Sequence, residues 1–216
     1  MKTTGRWPKW IRLWMLGLAA VLLPEFLGCL EYDEQIILNR DGSGQLSIHY
    51  QAEKDMRFHN LYFPTDIYDV DKNIQDNYLV PGVLLVSREV REKGDRTHVY
   101  MEFQFTNVEN LNQAPRFQDE RFVWKANPES ITFKRFLYMD ENRIKEVNLF
   151  GKMGIKSLFN REVLEDIRFR FQVLVPGDIL STNADLKLDR DQVLWERTLA
   201  QVLQEKAVEF SVTFRP

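Results

Sequence analysis

Any chemistry in this chain would come from three histidines, scattered carboxylates and a single cysteine. His49 and His98 occupy the polar positions of alternating stretches, where a solvated imidazole is the expected state. His59 lies in a stretch with no clear period. None is spaced from a second ligand as on the helix of a zinc hydrolase, so no metal site is expected. Asp66, Asp69 and Asp71 are close in sequence, but spacing alone sets no two of them about a substrate, and Asp69-Val70-Asp71 reads as solvated surface. The chain contains no Gly-x-Ser-x-Gly elbow, no glycine-rich phosphate loop and no Ser-x-x-Lys. No catalytic residue and no cofactor is assigned, and the chain is expected not to be an enzyme. A hydrolase is the catalytic rival, because carboxylates and histidines gathered by folding leave no signature in sequence.

One loop has the spacing of a calcium site. Asn39, Asp41 and Ser43 alternate, with Gly44 sixth and Leu46 eighth, as in an EF-hand. The twelfth position, which needs a bidentate carboxylate, is Tyr50, and the flanks alternate with period two rather than 3.6. A hairpin turn is the better reading, with Gly42 and Gly44 free to take positive φ.

The cysteine is explained by where it stands. Residues 1–12 carry Lys2, Arg6, Lys9 and Arg12 with no acidic residue, and an apolar run follows from Leu13 to Leu23. That run would be about 16 Å long as a helix, against about 30 Å of bilayer hydrocarbon, so a secretory signal is read rather than a transmembrane span. Phe26-Leu27-Gly28-Cys29 resembles the lipobox of bacterial lipoproteins, with Phe26 where leucine is usual. The resemblance implies cleavage between Gly28 and Cys29, lipid on the Cys29 sulfur and anchoring in a membrane. Leu30, in place of aspartate, points to the outer membrane facing the periplasm where the organism has one, and otherwise to the extracytoplasmic face of the cell membrane. Residues 1–28 are thus a cleaved signal, and 29–216 a single lipid-anchored ectodomain.

The elements that would position these residues are mostly strands. A hairpin is expected over residues 32–51, with Tyr32, Glu34, Ile36 and Leu38 on one side and Leu46, Ile48 and Tyr50 after the turn. A second spans about 83–106 around Glu92-Lys93-Gly94-Asp95. Further strands are expected at 122–125, 131–137, 169–175, 193–195 and 208–214, helices at 196–206 and within 147–167, and one turn at 108–112. Residues 52–80 are ambiguous, with Phe58, Leu61 and Tyr62 the candidate buried side chains. The predicted class is α+β, a mainly antiparallel β-sheet with a few packed helices.

After residue 28 the basic count falls from 29 to 25 (Lys2, Arg6, Lys9 and Arg12 removed) and the acidic count from 32 to 31 (Glu25 removed), a net charge of −6. That balance excludes a nucleic-acid partner. The hairpin bearing Asn39-Arg40-Asp41-Gly42-Ser43-Gly44, the segment Phe105-Thr106-Asn107-Val108-Glu109-Asn110-Leu111-Asn112, and Val173-Leu174-Val175-Pro176-Gly177-Asp178-Ile179-Leu180-Ser181-Thr182-Asn183-Ala184 leading to Val193-Leu194-Trp195 (a strand, a Pro-Gly turn, a loop through Asn183, then a short strand) are together similar to the LppM-type domain of bacterial lipoproteins. The resemblance implies a lipid-anchored domain with a sheet partly wrapped around helices, linked in one branch to lipids or glycolipids. It carries no residue-level binding motif. With 15 Phe, 7 Tyr and 5 Trp, the function expected is a non-catalytic binding module for a lipid or other apolar envelope component. The alternative is a structural or assembly lipoprotein that binds an envelope protein.

Overall fold

The computed structural model describes residues 31–53, 63–138, 165, 167–205 and 207–216. Their elements, in order, are β1 (Glu31–Leu38), β2 (Gly44–Glu53), α1 (Ile67–Asn77), β3 (Val83–Lys93), β4 (Arg96–Phe105), 3₁₀ helices at Val108–Gln113 and Pro115–Phe117, β5 (Glu120–Ala126), β6 (Ile131–Tyr138), β7 (Arg168–Leu174), β8 (Ile179–Thr182), β9 (Leu186–Asp189), β10 (Gln192–Thr198), α2 (Leu199–Gln204) and β11 (Ala207–Phe214). The α+β class with a mainly antiparallel sheet is borne out.

The strands form two sheets. Seven lie in the order β3-β4-β2-β1-β7-β10-β9 and four in the order β5-β6-β11-β8. Period-two alternation decides which face each strand buries. β1 buries Tyr32, Glu34, Ile36 and Leu38, and β11 buries Val208, Phe210, Val212 and Phe214. The two apolar faces pack on each other, with Phe210 of the smaller sheet edge-on to Phe171 (5.3 Å) and Trp195 (5.6 Å) of the larger. Burial of each such ring stabilises by about 1.5–3 kcal/mol relative to exposure.

Turn chemistry follows the residues. Gly42 takes a φ of +84°, whereas Gly44 does not take a positive φ. Gly44 is required for a different reason: a Cβ there would lie 2.0 Å from the Ile37 carbonyl oxygen and 2.8 Å from the Phe105 ring. Asp66 caps α1 by accepting from the Tyr68 amide at 2.8 Å.

Two expectations are corrected, and one ambiguous stretch resolves. The helix expected over 196–206 begins only at Leu199, because β10 continues to Thr198 in register with β7 and Thr198–Gln201 then make a capping box. Asn183 does not lie in a loop running straight to Trp195: the short strands β8 and β9 flank it, and four residues each are too few to show a period. Residues 67–77 of the ambiguous stretch are helical, burying Val70 and Ile74. β1 and β7 are also parallel, a pairing no local pattern announces. The helices expected within 147–167 fall largely outside the described residues, as do Phe58, Leu61 and Tyr62.

Candidate functional site

Gly28, Cys29 and His59 lie outside the described residues. Among the described residues no group of three or more His, Cys, Asp or Glu could hold a metal, and no helix is long and apolar enough to cross a membrane. The loop with EF-hand spacing is closed on itself. Asp41 Oδ1 accepts from the Ser43 amide (3.0 Å) and hydroxyl (2.7 Å), and Asn39 Nδ2 donates to Ser43 Oγ (3.0 Å). Tyr50 at the twelfth position is buried and donates to the Pro64 carbonyl at 2.5 Å.

Between the sheets sits an ion network. Arg135 donates from Nη1 to Glu34 Oε1 (2.7 Å), from Nη2 to Glu34 Oε2 (3.2 Å) and from Nε to Glu120 Oε2 (2.5 Å). The Tyr32 hydroxyl donates to Glu34 Oε2 at 2.9 Å, and Arg116 Nη1 lies 3.8 Å from Glu120 Oε1. Two guanidinium groups therefore balance two carboxylates. The Arg135 guanidinium also rests 4.5 Å from the Phe171 ring centroid and 5.2 Å from that of Phe122. Burial opposes its charge, but Glu120 and Glu34 outweigh burial and raise its pKa above the ordinary arginine value. Burial, reinforced by Glu34, raises the Tyr32 hydroxyl well above its ordinary value. With Glu34 at 3% exposure and Arg135 donating from Nε, Nη1 and Nη2, the network links the two layers. It had a sign in sequence. Glu34 and Arg135 each stand in the apolar phase of their strand, beside Tyr32 and Ile36 and beside Phe133 and Leu137.

The opposite face of the larger sheet is polar and holds an open groove of about 610 Å³. Strand register lays its side chains in transverse rows. One row runs Glu89, Tyr100, His49, Asp33, Arg170, Glu196 across six strands. The next runs Ser87, Glu102, Ser47, Gln35, Gln172, Leu194. Within these rows Gln35 bonds Gln172 at 3.1 Å, and Arg170 Nε lies 3.4 Å from Asp33 and 3.6 Å from Glu196.

The structure brings together two of the three histidines and a carboxylate. His49 Nδ1 lies 3.3 Å from Asp33 Oδ2, and His49 Nε2 lies 3.3 Å from His98 Nδ1. The imidazole planes differ by 3° and their centroids are 5.6 Å apart. The 3.3 Å nitrogen contact between nearly parallel planes sets the two rings edge to edge. Tyr100 stacks on His49 at 4.3 Å. Burial, then the neighbouring His49, lower the His98 pKa below its ordinary value. Both His49 nitrogens are engaged, one beside Asp33 and one beside His98. Sequence placed His49 and His98 correctly on polar strand faces, but their meeting depends on the β2–β4 register.

A second groove, about 450 Å³, runs between α1 and β3. Ile74, Leu79, Leu85 and Val86 line it, and Arg88 closes one side through a bidentate pair with Asp71 (Nη2 to Oδ2 2.7 Å). Asp71 is therefore paired rather than merely solvated.

Fold and surface define a two-sheet α+β sandwich with an ion network between its layers and a polar, grooved outer face. No family model matches the chain, and no curated protein matches it. Among solved structures it is similar to the NMR structure of the folded domain of the Mycobacterium tuberculosis LppM protein, at 13% identity and a TM-score of 0.47, covering 87% of this chain and 90% of that one.

Proposed function

We propose that the chain is a lipid-anchored, non-catalytic binding module of the cell envelope, tethered by Cys29, that docks a polar segment of a protein partner in the groove of the seven-stranded sheet. The observation that carries the reading is the contrast between interior and outer face. A lipid carrier needs a hollow apolar interior of about 300 Å³ or more. In the described residues the layers are instead filled by Phe103, Phe133, Phe171, Trp195 and Phe210 around the Arg135 network. The outer face offers charges of both signs, amides and hydroxyls in two rows, the mixture that pairs with the backbone and polar side chains of a peptide.

A photo-crosslinking residue at Gln172 of the full-length chain in its membrane tests this. It should label a discrete partner, and Arg170→Ala should weaken the label. Equal labelling from Lys125, exposed on the other sheet, would remove the groove from consideration. The anchor is tested separately: labelled palmitate should enter the wild type and not Cys29→Ala. A second reading, an apolar envelope component held against the chain, is favoured by one observation, the exposure of Leu79, Leu84 and Val86 beside the α1–β3 groove.

A further inference from the structure

We propose that β3 pairs with the β3 strand of a second copy, antiparallel about a two-fold axis at Val90, joining two seven-stranded sheets into one. The proposal does not rest on the groove reading. β3 is the outermost strand of its sheet among the described residues and is 11 residues long, and Leu84–Glu89 are exposed. A long open edge is a template for another strand unless something on it forbids pairing. Here the edge sequence Ser87-Arg88-Glu89-Val90-Arg91-Glu92-Lys93 is self-complementary.

Symmetry and register together narrow the pairing. In a two-fold antiparallel pair the strand meets itself, so one residue lies opposite its own copy. Backbone groups alternate in direction along a strand, so partners must also share parity. Centring on Arg88, Glu89, Arg91 or Glu92 puts like charges on the axis. Centring on Ser87 runs into the bulge between Leu85 and Ser87. Val90, clear of that bulge, puts an uncharged residue there, and Glu89 then faces Arg91 twice, Arg88 faces Glu92 twice and Ser87 faces Lys93 twice. Glu89 and Arg91 lie on the polar face, where they already pair within one strand and where Arg91 lies 5.6 Å from the Tyr100 ring centroid. Two such pairs would make an alternating four-charge cluster. On the inner face Val90 is half-buried against fully buried Val99, so two copies of Val90 would extend the core across the axis.

The experiment is a charge swap read by sedimentation equilibrium of the full-length chain in density-matched detergent. Wild type should be a dimer. Arg91→Glu or Glu89→Arg alone places like charges opposite one another at two sites and should weaken the dimer about tenfold or more. The double variant Glu89→Arg/Arg91→Glu exchanges the two signs and should restore it. Far-UV circular dichroism and thermal melting of the single variants should match wild type, which separates association from the pair within one strand. A wild type that stays monomeric at tens of micromolar overturns the proposal and leaves the edge to a different partner. Single variants that dimerise as tightly as wild type, or a double variant no better than the singles, also overturn it.

Discussion

Replacing Arg135 with methionine keeps most of the side-chain length and the contact with Phe171 and Phe122, but removes the one positive charge that both Glu34 and Glu120 share. Three donated hydrogen bonds are lost, and Arg116 stays 3.8 Å from Glu120. Breaking a buried ion pair from one side costs about 3–5 kcal/mol, because the remaining charge is left in a medium that cannot solvate it. With Glu34 stripped of its bidentate partner and Glu120 left only Arg116, a loss within that range is expected, a large share of the 5–15 kcal/mol typical of a whole domain. Arg135→Lys keeps the charge but not the fork, and should fall between wild type and methionine. Urea unfolding of residues 29–216 at neutral pH, followed by far-UV circular dichroism, measures both. A loss below about 1 kcal/mol for Arg135→Met would refute the claim that this arginine neutralises the interior.

Two further outcomes are expected. Gly44→Ala forces a Cβ against the Ile37 carbonyl and the Phe105 ring and should cost about 1–3 kcal/mol or more in the same unfolding assay, since the nearer obstacle is backbone. Because the His98 pKa is lowered in the folded state, its contribution to stability is present above the ordinary histidine value and is lost as pH falls through the folded one. A proton NMR titration should show His49→Gln raising the His98 pKa part of the way back, with the burial contribution remaining.

Alternation made most of the fold legible. Tyr32, Ile36, Leu46, Ile48, Val99, Phe103, Val173 and Val212 are buried where period two placed them, and both hairpin turns form where glycine and Asx residues cluster. β8 and β9, four residues each, are too short to show a period. α1 was hidden because its buried face holds only Val70 and Ile74 amid polar residues. The parallel β1–β7 pairing joins strands more than a hundred residues apart, which nothing local specifies. The candidate site failed to appear for the same reason. Asp33, His49 and His98 sit on three strands, and only their register makes them neighbours.

The interior pair raises a question of selection, because apolar faces alone would pack. Each strand repeats its buried side chains every two residues, so β6 could slide by two past β1 and still set ring against aliphatic side chain. The charges do not permit the slip. Moved by two residues, Arg135 would carry Glu120 of its own sheet with it and leave Glu34 of the other sheet buried without its guanidinium partner. The network thus penalises the wrong offset more than it stabilises the right one. A variant carrying Glu34→Leu, Glu120→Leu, Arg116→Met, Arg135→Met and Tyr32→Phe, which removes all four charges of the network, separates the two effects. Its unfolding free energy should match or exceed wild type, as apolar replacements of buried ion networks often do. Its native state should be less unique, seen as narrowed amide dispersion and faster hydrogen exchange across β1 and β6. A variant both as stable and as well ordered as wild type would show that the charges play no part in fixing the offset.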